Sequence, residues 1–332
     1  LFFSSNNVIY GNGDLFDIDS SCEVSGVWTS SVADGATAVT SDPGLVDMPY
    51  DADTDTAYFD PRPSGTDSNL FADVDTVPSA NTFLVQPGFK GAFSYEGVCS
   101  NTGSTYWLAG LSYASETGMT AGASSEGACT ELCGTITTQT LPKTSGPYLL
   151  TCQVFVQTSL TIEAGTTIYA LGASEAVAMG NADAAPALII EPGATITASG
   201  TSSDPITFTS NVADPGTAAG LWGGLIIMGD ASVYGGTDEV EGITGYYYGG
   251  SDDDDNSGTL SYGRVWHGGA VVGADNEING ITFAGVGSGT TVEYCEVAFT
   301  LDDGFEWFGG TVNAKYLSVL FAGDDALDTD LG

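Results

Sequence analysis

The segment TVEYCEVAFTLDDGFEW, starting at Thr291, lies over NAKYLSVLFAGDDALDT, starting at Asn313, when the chain is laid upon itself. Tyr294 then meets Tyr316, Val297 meets Val319, and the pair Asp302-Asp303 meets Asp324-Asp325. The same Tyr-x-x-Val unit occurs upstream at Tyr262 and Val265, and LTIEAGTTI from Leu160 matches LIIEPGATI from Leu188. Repetition at such intervals, built on short β-type runs, marks a solenoid, because one unit is too small to bury its own apolar face and must stack on a copy.

Within each unit, apolar runs of a few residues alternate with Thr, Ser or a charge, and Ala164-Gly165 and Pro192-Gly193 interrupt them at matching places. Each coil therefore reads as about three short strands joined at corners. The expectation is that residues 155–332 stack as coils of roughly 22 to 28 residues, with Ile162, Ile190, Val292, Tyr294, Val297, Tyr316 and Val319 pointing inward. On this reading the step from Asp302 to Asp324 is one turn of the solenoid, and both Asp pairs stack at one corner. A β-sandwich is the competing all-β arrangement.

Composition agrees with an all-β core: 46 Gly with 15 Tyr, 15 Phe and 5 Trp, in a chain that is 42% hydrophobic. The charge is one-sided, with 43 acidic residues against 5 basic ones and a formal net charge of -38. Nothing is present to neutralise phosphates, so nucleic acid is excluded as a partner. Self-repulsion on this scale calls for screening cations, and a calcium-rich exterior suits it. No apolar run is long enough for a membrane span, and the opening LFF lacks the basic flank of a secretory signal.

Cys22, Cys99, Cys129, Cys133, Cys152 and Cys295 form an even set without metal-type spacing, which favours disulfides and a compartment outside the cytosol. The spacing leans to one bridge early in the chain, before residue 100, and one among Cys129, Cys133 and Cys152. With no N-x-Ser/Thr sequon, any sugar on a glycoprotein form would sit on Ser or Thr.

The phrases LTIEAGTTIYA, ALIIEPGATITASGTSSDPITFTS, GLWGGLIIMGDASV and DNEINGITFAGVGSGTTVEYCEVAFTLDDGFEWFGG, continuing to DTDLG, resemble a family of secreted, cell-surface right-handed parallel β-helix proteins of bacteria. The likeness covers about residues 133–332. It implies the fold, a single-stranded right-handed parallel β-helix over residues 131–332, and an extracellular or cell-surface location. Residues 1–130 form an additional, mainly β or irregular segment. There GLVDMPYDADTDTAYFDPRPSG resembles the closing segment of such helices, and QPGFKGAFSYEG with YWLAGLS resembles the stretch that precedes a new one. The order suggests the tail of one β-helix followed by the head of another that stops at DTDLG.

The sharpest constellation is Asp302, Asp303, Asp324, Asp325 and Asp328. Equivalent positions on adjacent coils lie ~4.8 Å apart, and carboxylates at that spacing repel or raise one another's pKa unless a cation intervenes. Calcium, with its oxygen-only ligands and tolerance of loops, is the candidate ion, and Glu306 and Asp330 could complete its shell. The alternative is that these side chains cap turns by accepting backbone N–H bonds. SDDDDNSG, from Ser251 to Gly258, reads as a solvated loop. Parallel β-helices include lyases and hydrolases of acidic polysaccharides, yet basic residues are sparse near the repeats, where the candidate spot is Arg264 beside His267. His267 reads as a structural ring beside Trp266, and Trp222 in GLWGG as a corner plug. Tyr246-Tyr247-Tyr248 could form a sugar-stacking platform but read by default as core.

Together these point to an extracellular structural or adhesive β-helix that polymerises head to tail. The alternatives are a carbohydrate-active β-helix enzyme, lyase or hydrolase, and a glycan-binding module.

Overall fold

The computed structural model describes residues 45–47, 60–63, 99, 129–172, 185–212, 215–273 and 276–332. The chain divides into two compact units, Leu1–Glu126 with Val212–Asp214, and Gly127–Asn211 with Pro215–Gly332. In the first, strands Leu45–Asp47 and Asp60–Pro63 pair antiparallel. The expected likeness of this region to the end of a β-helix lies outside the described residues.

The second unit is a right-handed parallel β-helix with three faces. Thr130–Leu141, Tyr148–Ile162, Thr291–Ala298 and Asn313–Leu320 each bend around a corner and so belong to more than one face, which joins 14 strands into one sheet. Every pairing within that sheet is parallel. On the first face Tyr148, Ile168, Phe208, Val265, Val297 and Val319 form one column. On the second the column is Ile136, Val156, Ile190, Ile227, Phe283, Trp307 and Thr329. On the third it is Leu141, Ile162, Ala198, Leu260, Val292 and Ala314. Almost all of these apolar side chains meet in one central core.

The interval between rungs is not constant. The first-face column descends from Tyr148 to Ile168 in a short turn, takes much longer ones to Phe208, Val265 and Val297, and keeps to the expected coil length only in its last turn, to Val319. The likeness between the phrases at Leu160 and Leu188 is not a coil spacing either: Ile162 stands on the third face and Ile190 on the second. What those phrases share is a corner. Thr166 N–H bonds back to Glu163 O and Ala194 N–H to Glu191 O, with Gly165 and Gly193 at φ 76° and 75°. Positive φ at the third position, with Pro192 before it, is the chemistry of a type II turn, used here at two different corners.

Tyr294 and Tyr316 occupy adjacent rungs as expected, but they point outward, 40% and 62% exposed. The reason is backbone geometry. Tyr262, Tyr294 and Tyr316 have φ of 49°, 56° and 58°, and each is the single residue that turns the chain from the third face to the first. A left-handed residue breaks the in-out alternation and throws its side chain to solvent. His267, Phe299 and Phe321, at φ 61°, 57° and 59°, turn the chain off the first face in the same way. Such a backbone costs a non-glycine residue about 1–2 kcal/mol, and ring stacking returns about 0.5–1.5 kcal/mol per pair. Tyr262 stacks on Tyr294 at 4.6 Å and Tyr294 on Tyr316 at 4.4 Å, while His267 stacks on Phe299 at 5.2 Å and Phe299 on Phe321 at 4.8 Å.

The outer side of the second face is also dry. Between Met228 and Gly258 the chain leaves the coil and returns, and Val233, Val240, Ile243 and Tyr248 pack onto Ile189, Ile226, Met228, Ala284 and Phe308. Tyr246 stacks on Phe155 and Tyr248 is buried, so these two belong to this second core. SDDDDNSG fastens the excursion rather than floating free. Asp253 Oδ1 accepts the Ser232 N–H at 3.0 Å, and buried Asp255 accepts the Ser257 hydroxyl at 3.1 Å and the Gly287 N–H at 3.3 Å.

Cys133 and Cys152 form a disulfide between the first two rungs, within the expected trio. Cys99 and Cys129 are disulfide-bonded too, and Cys295 is a buried thiol whose pKa burial pushes up to about 11. Cys22 lies outside the described residues. Val297 is fully buried between Val265 and Val319. Val297→Asp should cost about 4 kcal/mol or more, because it places an unpaired charge in the core. Urea unfolding measures this, and a loss below about 1 kcal/mol would mean that the column is not core.

Candidate metal centre

Parallel in-register pairing sets equivalent residues of adjacent coils ~4.8 Å apart, so a polar residue that recurs at the coil interval stacks on itself. At the corner between the first and second faces this happens with Asn279-Gly280-Ile281, Asp303-Gly304-Phe305 and Asp325-Ala326-Leu327. The Gly280 N–H donates to Asp303 O and the Gly304 N–H to Asp325 O, both at 2.9 Å, which fixes the register through the turn. Both Asp pairs therefore share one corner.

The carboxylate oxygens of Asp302, Asp303 and Asp324 lie within 4.8 Å of one another, and so do those of Asp303, Glu306 and Asp328. Asp303 belongs to both groups and is buried. Glu306 and Asp328 are register partners on the outer side of the second face, and Glu306 is buried as well. Asp325 contributes differently: its N–H donates to Asp303 Oδ1 at 2.8 Å, so turn capping and carboxylate clustering coexist here.

The electrostatics are unfavourable as they stand. Burial raises the pKa of Asp303; the Asp325 N–H opposes the rise, and Asp328, Asp324 and Asp325 add to it. Burial, reinforced by the charge of Glu241, pushes Glu306 up to about 8, although the Asn279 amide donates to it. Neither described ion pair, Lys143–Asp204 or Lys315–Glu293, involves Asp303, Glu306 or Asp328. Beside them Asn279 is 1% exposed; its Nδ2 bonds Glu306 and, at 3.3 Å, Thr282 Oγ1, and its Oδ1 has no hydrogen-bond partner. An orphaned amide oxygen next to buried carboxylates is the environment a hard cation satisfies. The donors are all oxygens, which fits calcium and not a thiolate- or imidazole-seeking metal.

Of the residues singled out from sequence, the structure brings Asp302, Asp303 and Asp324 together and joins Asp328 to them through Asp303. Asn279 and Glu241 were missed. Asn279 had a signal, since Asn-Gly-Ile at Asn279, Asp-Gly-Phe at Asp303 and Asp-Ala-Leu at Asp325 recur at nearly equal intervals. His267 is buried, its Nδ1 2.6 Å from Ala218 O and its ring on Phe299, and Trp222 donates from Nε1 to Trp266 O at 2.8 Å. Both rings are packed into the coil.

Residues 134–332 match the family model described as a pectate-lyase like beta helix domain. Neither a curated protein nor a solved structure matches the chain.

A pH dependence follows from Glu306. A carboxyl whose folded-state pKa lies above its ordinary 4.5 keeps its proton in the fold after the unfolded chain has released it, so stability falls as pH rises from about 4.5 to about 8. In chelator the melting temperature should drop across that window. Glu306→Gln should flatten the drop, and a wild-type melting temperature that is level from pH 5 to 8 would contradict it.

Proposed function

This chain belongs to the pectate-lyase-like β-helix family, and from that premise we propose that it is an extracellular structural β-helix whose Asp corner binds calcium. The observation that carries the reading is the pair of carboxylate trios sharing Asp303, with buried Glu306 and the orphaned Asn279 Oδ1 beside them. Asp302, Asp303, Asp324, Glu306, Asp328 and Asn279 would hold the ion, and the ion would supply the positive charge that no described Lys or Arg gives to Asp303, Glu306 and Asp328. Because its ligands come from three successive rungs, it ties coils together. The disulfides and the -38 charge support a location outside the cell.

An ion bound only by the fold stabilises by mass action, ~2.7 kcal/mol at a free concentration of about 100 Kd. Adding calcium to chelated protein should raise the melting temperature by several degrees, and Asp303→Asn should abolish most of the rise. Isothermal titration that finds no calcium binding would leave turn capping as the role of these residues.

The scaffold reading includes self-association. Its geometric basis is the parallel in-register ladder, in which a rung can pair with a further parallel coil. Supplied by another copy, that coil makes the contact heterologous and the product a filament. Electron microscopy and sedimentation of the full chain should show concentration-dependent linear assemblies; strictly monomeric protein at all concentrations would remove this part. A polysaccharide-cleaving role takes its support from the family description alone.

A further inference from the structure

A second site lies at a different corner, where the chain turns from the third face to the first, and it depends on none of the readings of the Asp corner. A groove of about 280 Å³ runs across successive rungs beside the tyrosine stack, with Thr201, Ser202 and Pro205 along its margin. Arg264 and Glu296 enter it from adjacent rungs as register partners on the outer side of the first face.

The Glu296 carboxylate is held in place: Oε1 accepts the Trp266 Nε1–H at 3.0 Å and Oε2 the Ser318 hydroxyl at 3.3 Å. Arg264 lies 5.5 Å over the Trp266 ring. Among the described side chains Lys143 and Lys315 are ion-paired, whereas Arg264 has neither a carboxylate within ion-pair distance nor a hydrogen-bond acceptor. In a chain with 43 acidic residues, an arginine left with its donor fork unspent and facing a groove is a binding group.

The chemistry selects the ligand. A guanidinium fork next to an oriented carboxylate gives donors and acceptors side by side with no net charge, the complement of a polyol, whose hydroxyls both accept and donate. A polyanion would be repelled by the surrounding field. An extended peptide would need unpaired main-chain groups, and here the parallel ladder uses them. Both faces of Tyr294 are covered by Tyr262 and Tyr316, so the stack offers a wall of ring edges repeating at 4.6 and 4.4 Å along the axis, a surface for a linear ligand laid along it. We propose that this groove binds a neutral, linear saccharide chain along the tyrosine stack, with Arg264 and Glu296 gripping its hydroxyls.

The test is titration of the full chain with neutral hexasaccharides (cello-, xylo-, manno- and laminari-oligomers), with hexagalacturonate as the acidic comparison. At least one neutral oligomer should bind, and hexagalacturonate should bind at least tenfold more weakly. Arg264→Met keeps the stem over Trp266 and Glu296→Gln keeps the shape of the acid, and each should weaken binding at least tenfold with the melting temperature and calcium response unchanged. If Glu296→Gln perturbs the fold, Ser318→Ala, which frees the carboxylate of one partner, replaces it with an expected loss of a few-fold. Failure of every neutral oligomer to bind at millimolar concentration, tighter binding of hexagalacturonate, or binding untouched by these variants would overturn the proposal.

Discussion

Parallel pairing in register is the constraint from which the other features follow. Hydrogen bonds between successive coils set each residue over its equivalent one rung below, so the helix stacks like on like wherever the sequence recurs. For apolar side chains this is favourable: Val265, Val297 and Val319 shield one another and hide area at ~25 cal/mol per Å². For carboxylates it is costly, since two like charges at ~4.8 Å repel by roughly 3 kcal/mol at an effective dielectric of about 20. The same ladder thus creates the core and the acidic corner.

The corners carry a second consequence of that geometry. A three-sided coil must turn sharply, and at several corners left-handed φ at a single residue achieves it. Glycine meets the need at Gly285 and Gly309. Elsewhere the position is filled by Leu331 or by Tyr, Phe or His, and the aromatic rings, once turned outward, fall on those of the neighbouring coils. Local strain and long-range stacking are therefore two sides of one arrangement, and the outward rings form a wall beside which Arg264 and Glu296 are displayed.

Much of the coil was legible in the sequence because repetition reports stacking directly. The repeat that begins at Thr291 and Asn313 gave the register of Val297 over Val319 and of Asp303 over Asp325 correctly. Orientation was harder: Tyr294 reads as core by hydropathy, and nothing in its neighbours announces a left-handed backbone. The Glu-x-Gly phrases at Glu163 and Glu191 misled for a related reason, since a turn preference is local and the same short phrase serves any corner. Asn279 was hidden because its rung differs by one atom type from Asp303, although both fill the same place. The groove at Arg264 was invisible, because it joins Thr201, Arg264 and Glu296 through rungs of unequal length.

That inequality has its own meaning. The turn from Tyr148 to Ile168 is short and the turn from Phe208 to Val265 is far longer, yet the ladder is unbroken. The fold keeps count in rungs and leaves the contour length between them free, and lengthening a loop is cheap, ~0.6 kcal/mol for each doubling. The excursion between Met228 and Gly258 illustrates what such freedom permits, a segment long enough to build its own dry layer without altering the register on either side. Corners of this kind are ready-made insertion points: new loops can be added or grafted there while the rungs that flank them keep their partners.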